Sequence, residues 1–329
     1  MYQPAQSLTT STEKLQVLWN PRAGPQERNA AALEQIQSEY GEQVQVHVTD
    51  SEEHTARLTK QLVEQGAQRI AAAGGDGVIN VVADALLRTG RTDVVFAVLP
   101  SGTGNDFARS LGLPLSPVEA ILGAIEDSPA LLDVFELKGS PALWRFGVNM
   151  LAGGNTAEYT KQLTDEMKQQ WGAFCFLRGA IEVLQNLEVF PLEVQFDDEP
   201  PQPVNALNLF VANGRCAGAG LPVAPTAALD DGWLDAVVVL DGTAVQLAQL
   251  ALTYVVGDPR EHELIVARRV RRLAVRAETQ IAWAVDGQEF SASELTATIH
   301  PARLPVILGP TNPAVTAPPA GKNAPPTTS

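Results

Sequence analysis

The chain has 329 residues, 45% of them hydrophobic and 19% charged, with a formal net charge of −15. That length exceeds one ordinary core and the composition is that of a globular protein, so two domains are expected and a disordered chain is excluded. The acid excess argues against nucleic acid as the main partner, which would need surplus Lys and Arg. A polyphosphate held by Mg2+ and backbone N–H groups stays open.

The two cysteines, Cys175 and Cys216, give neither a disulfide framework nor zinc spacing, and a reducing compartment fits them. Before Val17 there is no basic n-region followed by an apolar h-region, so no signal peptide is read. No apolar run approaches the ~18 residues of a membrane span. Ala244–Val256 comes nearest, and Gln246, Gln249 and Gly257 interrupt it.

Residues 1–13 and 310–329 are Ser/Thr- and Pro/Ala-rich without periodicity and are expected to be flexible tails. Between them, strands and helices first alternate. Strands are predicted at Leu15–Trp19, Val44–Val48, Arg69–Ala73 and Val94–Leu99. Helices are predicted near Gln26–Tyr40, Glu52–Gln65, Val78–Leu87 and Asn105–Leu111. Such alternation implies a parallel, doubly wound sheet covered on both faces. From about Leu132 the chain turns β-rich: Leu132–Leu137, Trp144–Met150, Leu192–Phe196, Leu207–Ala212, Trp233–Leu240, Leu264–Val275 and Gln280–Val285. A helical stretch near Glu166–Leu187 interrupts this second, largely antiparallel domain. Gly139–Pro141 marks the border, and a last strand, Leu304–Ile307, is placed to return to the first domain.

Three of the first-domain strands run into unusual loops: Asn20-Pro21-Arg22-Ala23-Gly24, Gly74-Gly75-Asp76-Gly77 and Ser101-Gly102-Thr103-Gly104-Asn105-Asp106. In a parallel sheet all three lie at the carboxyl edge, where ligands bind. Glycine permits close backbone approach, and the helix N-termini beyond attract phosphate. Neither GxxxxGK[ST] nor a complete GxGxxG is present, so the phosphates are held in another way. Asp76, between glycines, either holds Mg2+, orients an attacking hydroxyl, or bonds its own turn.

These residues resemble the diacylglycerol kinase catalytic-domain family, which includes bacterial soluble lipid kinases, sphingosine kinases and ceramide kinases. The likeness rests on Gly74–Gly77 and Leu99–Arg109. It continues through Asn20-Pro21-x-x-Gly24, Phe146-x-x-Asn149 before Gly153-Gly154, Asn213-Gly214-Arg215, Asp230–Asp235 and Asp286-Gly287. The Gly-Gly-Asp-Gly turn alone also resembles NAD kinases and phosphofructokinases. The family resemblance implies an α/β nucleotide domain over residues 14–138, joined by 303–309, and a β-rich, sandwich-like lipid domain over 139–302. It also implies γ-phosphoryl transfer from ATP to a lipid hydroxyl. Asn20, Thr49, Gly74, Gly75, Asp76, Gly77, Val78, Ile79, Asn80, Val81, Gly102, Thr103 and Asn105 would line the nucleotide. Asp231 would bind Mg2+ with the carbonyls of Ala228 and Trp233.

Two departures from the family pattern stand out. Val78 and Val81 replace a hydroxyl and a carboxylate, and Gln288 occupies the place of the acid proposed to accept the lipid proton. Asp76 and Glu289, one residue later, are therefore the catalytic candidates. The expected cofactors are ATP and Mg2+. The expected partner is a lipid at the inner face of the membrane, approached transiently by a cytoplasmic protein; a homo-oligomer stays open. A nucleotide or lipid sensor and an NAD-kinase-type metabolite kinase are the competing functions. His47, His54, His262 and His300 are too scattered to suggest a metal site. Arg268, Arg269, Arg271, Arg272 and Arg276 either meet anionic headgroups or cover a solvated edge.

Overall fold

The computed structural model describes residues 14–22, 26–140, 142–155, 187–256 and 259–311. The first part is a parallel sheet of β1 (Leu15–Trp19), β2 (Val44–Val48), β3 (Arg69–Gly74) and β4 (Val95–Pro100), in the order β2-β1-β3-β4. The alternation of apolar side chains sorts its two faces. Leu15, Val17, Trp19, Ala71, Ala73, Ala97 and Leu99 pack with α1 (Gln26–Tyr40) and α5 (Pro117–Glu126). Leu18, Ile70, Ala72, Phe96 and Val98 pack with α2 (Glu52–Glu64) and α3 (Asp76–Arg88). Both faces are covered, so the inner strands β3 and β4 are apolar almost throughout, as a buried parallel sheet requires, while the edge strand β2 carries the exposed Gln45 and the half-buried His47.

The second part is antiparallel. It contains β5 (Ala130–Ser140), β6 (Leu143–Gly147), β7 (Met150–Gly154), β8 (Phe190–Phe196), β9 (Gln202–Ala212), β12 (Leu234–Leu240), β13 (Ile265–Val270), β14 (Arg272–Val285) and β15 (Gln288–Val306). A small hairpin joins β10 (Cys216–Ala217) to β11 (Leu221–Pro222), and α6 spans Ala244–Val256. The core lies around Phe135, Leu151, Trp283 and Val285. β15 pairs with β14, then with β5, and finally runs parallel to β4 through Val306 and Phe96. One sheet therefore crosses from one part to the other.

Several predicted elements take a different form. Trp144–Met150 is two strands, because Val148 and Asn149 leave the ladder to donate elsewhere. Leu264–Val275 breaks at Arg271, where Asp197 Oδ1 accepts from Arg271 N–H and Arg272 N–H (2.7 and 2.9 Å). The last strand is much longer than Leu304–Ile307, and α5 has no counterpart in the sequence reading. Of the predicted helix Glu166–Leu187, residues 166–186 lie outside the described residues, as do both tails through 13 and from 312 onward.

Candidate active site

β3 and β4 are hydrogen-bonded neighbours with Gly74 opposite Pro100, so the turns that follow them lie side by side. Ser101 N–H donates to Gly74 C=O (3.0 Å). A Cβ on Gly102 would fall inside van der Waals contact of Gly75 Cα and 3.1 Å from Gly75 N. Glycine at 102 is what lets the backbones approach this closely. Beyond Gly75 begins α3, whose N-terminus has no side-chain cap. Asn105 adopts the left-handed region (φ 54) and closes the second loop on itself. Its Oδ1 accepts from Gly102 N–H (3.0 Å) and its Nδ2 donates to Gly102 C=O (2.9 Å). Asn105 thus shapes the loop, while Thr103 is exposed at its tip.

Asp76 sits where the two loops meet. Its Oδ1 accepts from Phe107 N–H (3.1 Å), which ties it to the start of α4 (Asp106–Ser110). Burial, and then the neighbouring Asp106 carboxylate, push the Asp76 pKa above the usual carboxylate range. Asp106 is itself raised by burial, against N–H donors from the β10–β11 hairpin. Ala219 N–H reaches its Oδ2 (3.1 Å) and Gly220 N–H its Oδ1 (2.7 Å). The Gly218-Ala219-Gly220 run is left-handed throughout, with φ of 62, 70 and 100°. Asp106, absent from the sequence reading as a site residue, couples the second glycine loop to the antiparallel part.

The turn between β14 and β15 completes the seam. Asp286 is buried, and four donors converge on it. Val148 N–H (2.7 Å) and Asn80 Nδ2 (3.0 Å) reach Oδ2, while Asn149 N–H (3.1 Å) and Met150 N–H (2.6 Å) reach Oδ1. Burial lifts its pKa to about 6, and the donors hold it from rising further. Beside it, Gln288 Nε2 donates to Gly77 C=O (3.2 Å). Gln288 is buried and faces the phosphate turn, whereas Glu289 is exposed. Adjacent strand residues point to opposite faces, so Glu289 is directed away from the turn that Gln288 faces.

Other expected nucleotide ligands are packed or bonded within the fold. Ile79 belongs to the core against α2, and Thr49 is buried with its hydroxyl on Trp19 C=O (3.4 Å). Asn80 spends its amide on Asp286 and on Phe146 C=O (3.0 Å). Gly74 is a buried strand residue against the Val78 side chain. Asn20 Oδ1 accepts from Arg22 N–H (3.0 Å), a turn contact. Gly75, Gly77, Gly102 and Thr103, with the half-buried Val78 and Val81, remain near the surface of the cradle. Further along α3, Asp84 Oδ1 accepts from Phe146 N–H (2.7 Å) and Arg88 donates to Trp144 C=O. Asn80, Asp84 and Arg88, one helical turn apart, therefore stand in for a neighbouring strand along β6.

Asp231 lies in the turn before β12. It accepts from Trp233 N–H (3.0 Å) and is ion-paired with Arg269. Burial raises its pKa, against the pull of Arg269. Asp133 nearby accepts from Gly232 N–H (2.6 Å) and Ala302 N–H (2.7 Å). A carboxylate suits a hard cation, and Arg269 holds this one in an ion pair. Three arginines of the cluster are engaged within the fold. Arg269 is paired with Asp231, Arg276 with Glu294 (3.1 Å), and the Arg269 and Arg271 guanidiniums flank Trp233 at 5.5 and 4.8 Å.

Two apposed glycine turns at the carboxyl edge of a parallel sheet, closed against an antiparallel sheet by buried carboxylates, give a two-part α/β architecture. Residues 14–137 match the diacylglycerol kinase catalytic domain, and 150–308 match the YegS C-terminal NAD kinase beta sandwich-like domain. A "Probable lipid kinase YegS-like" protein of Pseudomonas aeruginosa is 31% identical over 93% of this chain and 97% of its own length. One from Cronobacter sakazakii is 29% identical over 82% and 88%, respectively. Two solved Bacillus anthracis structures share the fold. One has a TM-score of 0.75 at 21% identity over 94% of this chain and 99% of its own. The other, described as a diacylglycerol kinase, scores 0.66 at 20% identity over 92% and 99%. The chain belongs to the YegS-like lipid kinase family and carries that family's diacylglycerol kinase catalytic domain.

Proposed function

We propose that the protein transfers the γ-phosphoryl group of ATP to a lipid hydroxyl of the diacylglycerol, phosphatidylglycerol or sphingoid class. The observation that carries this is the apposition of Gly75 and Gly102, which presents two backbone turns and the N-terminus of α3 to one ligand beside the half-buried Asp76. Phosphoryl transfer depends on positioning and on charge stabilisation more than on covalent steps. In this reading Gly75, Gly77, Gly102 and Thr103 bind the phosphates. Asp76, its Oδ1 anchored by Phe107, orients the acceptor hydroxyl and takes its proton. A pKa above the ordinary carboxylate range makes Asp76 a better base than a solvated carboxylate. Asp286 and Gln288 hold the seam in register. Asp231 and the carbonyls of Ala228 and Trp233 would hold Mg2+, which when bound supplies positive charge against the polyphosphate.

The acceptor enters at the boundary between the two parts, from the inner face of the membrane. Among the described residues no helix is long and apolar enough to cross one. Radiolabelled ATP offered with diacylglycerol, phosphatidylglycerol, sphingoid bases and NAD tests the proposal. Label in a lipid product supports it. Label in NAD alone, or in no acceptor while ATP binds, refutes it.

A further inference from the structure

Buried polar side-chain atoms are almost always hydrogen-bonded, so each exception needs a reason. Among the described residues three such atoms have no partner: Trp19 Nε1, Ser101 Oγ and Asn213 Oδ1. The Trp19 ring is wholly enclosed in the layer formed with α1 and α5. Asn213 uses its amide nitrogen inside the seam, on Asp133 C=O (2.9 Å) and Val148 C=O (2.8 Å). Ser101 is different. It stands at the carboxyl end of β4, its own N–H clamped to Gly74 C=O (3.0 Å), immediately before Gly102, which packs on Gly75. Ser101 thus adjoins both glycine turns, and it is only 6% exposed.

A hydroxyl rotates to meet any acceptor in reach, and it carries both a donor and two lone pairs. Ser101 finds none, so the fold gains nothing from it and bears the cost of its desolvation. We infer that Ser101 is a nucleotide-phosphate ligand whose Oγ–H donates to a phosphate oxygen lying over Gly75 and Gly102. The inference rests on the proposed ATP site and adds to it a side-chain donor where the rest of the cradle is backbone. A phosphate oxygen is the acceptor that fits: it is anionic, it accepts several donors, and it approaches where glycines leave room.

The test is Ser101→Ala, a smaller side chain that the site accommodates. Calorimetric titrations of parent and variant with ATP, ADP and adenosine are compared with melting curves taken without nucleotide. Loss of one hydrogen bond to a charged group should weaken ATP and ADP by about tenfold or more. Adenosine, which has no phosphate, should bind both proteins alike. The nucleotide-free variant should melt no lower than the parent, and up to about 3 °C higher, because a buried unpaired hydroxyl is gone. Equal ATP affinity, an equal loss for adenosine, or a lower melting temperature would each overturn the inference while leaving the kinase reading standing. A parent that binds no ATP would overturn both.

Discussion

Replacing Gly102 by Ala tests the apposed turns directly. The added Cβ would meet Gly75 Cα inside van der Waals contact, with Gly75 N and Asn105 Oδ1 each at 3.1 Å. None of these is the far end of a flexible side chain except the Asn105 amide, and that amide is held by two bonds to Gly102 itself. The turns must therefore separate by about 1 Å to restore ordinary carbon–carbon contact near 3.5 Å. Overpacking of this kind costs about 1–3 kcal/mol. Misplacing a binding group by about 1 Å can cost about 10²-fold. Gly75→Ala is the matched control. Its Cβ would rest at ordinary contact, 3.4 Å from Gly102 Cα, and its φ and ψ of −89° and 179° suit any residue. That variant should lose less than about 1 kcal/mol of stability, the scale of exchanging a glycine N-cap for alanine. It should nonetheless weaken ATP, because its methyl stands where phosphate approaches. Denaturant melts and ATP titrations on the two variants measure both quantities. If Gly102→Ala matches the parent in melting and in ATP affinity, the two turns do not meet as described and the cradle argument fails.

Asp106→Asn removes the like charge beside Asp76 and should lower the Asp76 pKa. Activity needs the Asp76 carboxylate, so the acid limb of kcat should move to lower pH; an unmoved or raised limb contradicts the assignment. Asp286, at about 6 in the fold against an ordinary 3.8, contributes stability that is fully present below pH ~4 and lost as pH rises through ~6, in all about 3 kcal/mol. Asp286→Asn should abolish that component, seen as a steeper fall in unfolding free energy from pH 7 to 5 than in the parent. Glu289→Gln should leave the phosphoryl-transfer rate within about twofold, since a general base is typically worth ~10²–10⁴-fold. A loss of that size would restore Glu289 as a base. Arg269→Ala should lower the Mg2+ concentration giving half-maximal binding, followed by calorimetry, because Asp231 loses its competing partner; weaker Mg2+ binding would show that Asp231 is not the ligand.

The glycine turns were legible because their signal is local: an apolar strand, glycines, then a helical pattern. Their consequence for individual side chains was not. Ile79 and Asn80 follow the turn in sequence, yet a helix rotates successive residues by about 100°, which directs them into the core and the seam. Asp286 drew no attention as a site residue because its donors at Val148, Asn149 and Met150 stand more than 130 positions away. The same long-range demand splits Trp144–Met150, a run that reads locally as one strand. α5 begins with Pro117, a residue that reads as a breaker although it suits a first helical turn. β15 alternates buried Ala292, Leu295 and Ala297 with exposed Ser291 and Glu294 and carries Pro301 and Pro305, so only its apolar end was recognised.

The 19-residue β15 has a consequence for how this protein can be taken apart. Along the chain, the catalytic-domain match stops at 137 and the second match runs from 150 to 308, which suggests two separable cassettes. In space the second segment supplies the strand beside β4, and Ile307 N–H donates to Phe96 C=O (3.0 Å). β5, from the first segment, lies along β15 from Glu294 to Val306. A fragment ending near residue 140 would expose the β4 edge and leave β5 without its partner, with Leu132 and Val134 open to water. Grafting or swapping the nucleotide half among relatives therefore requires carrying the final strand with it, and the natural unit of exchange is the whole chain.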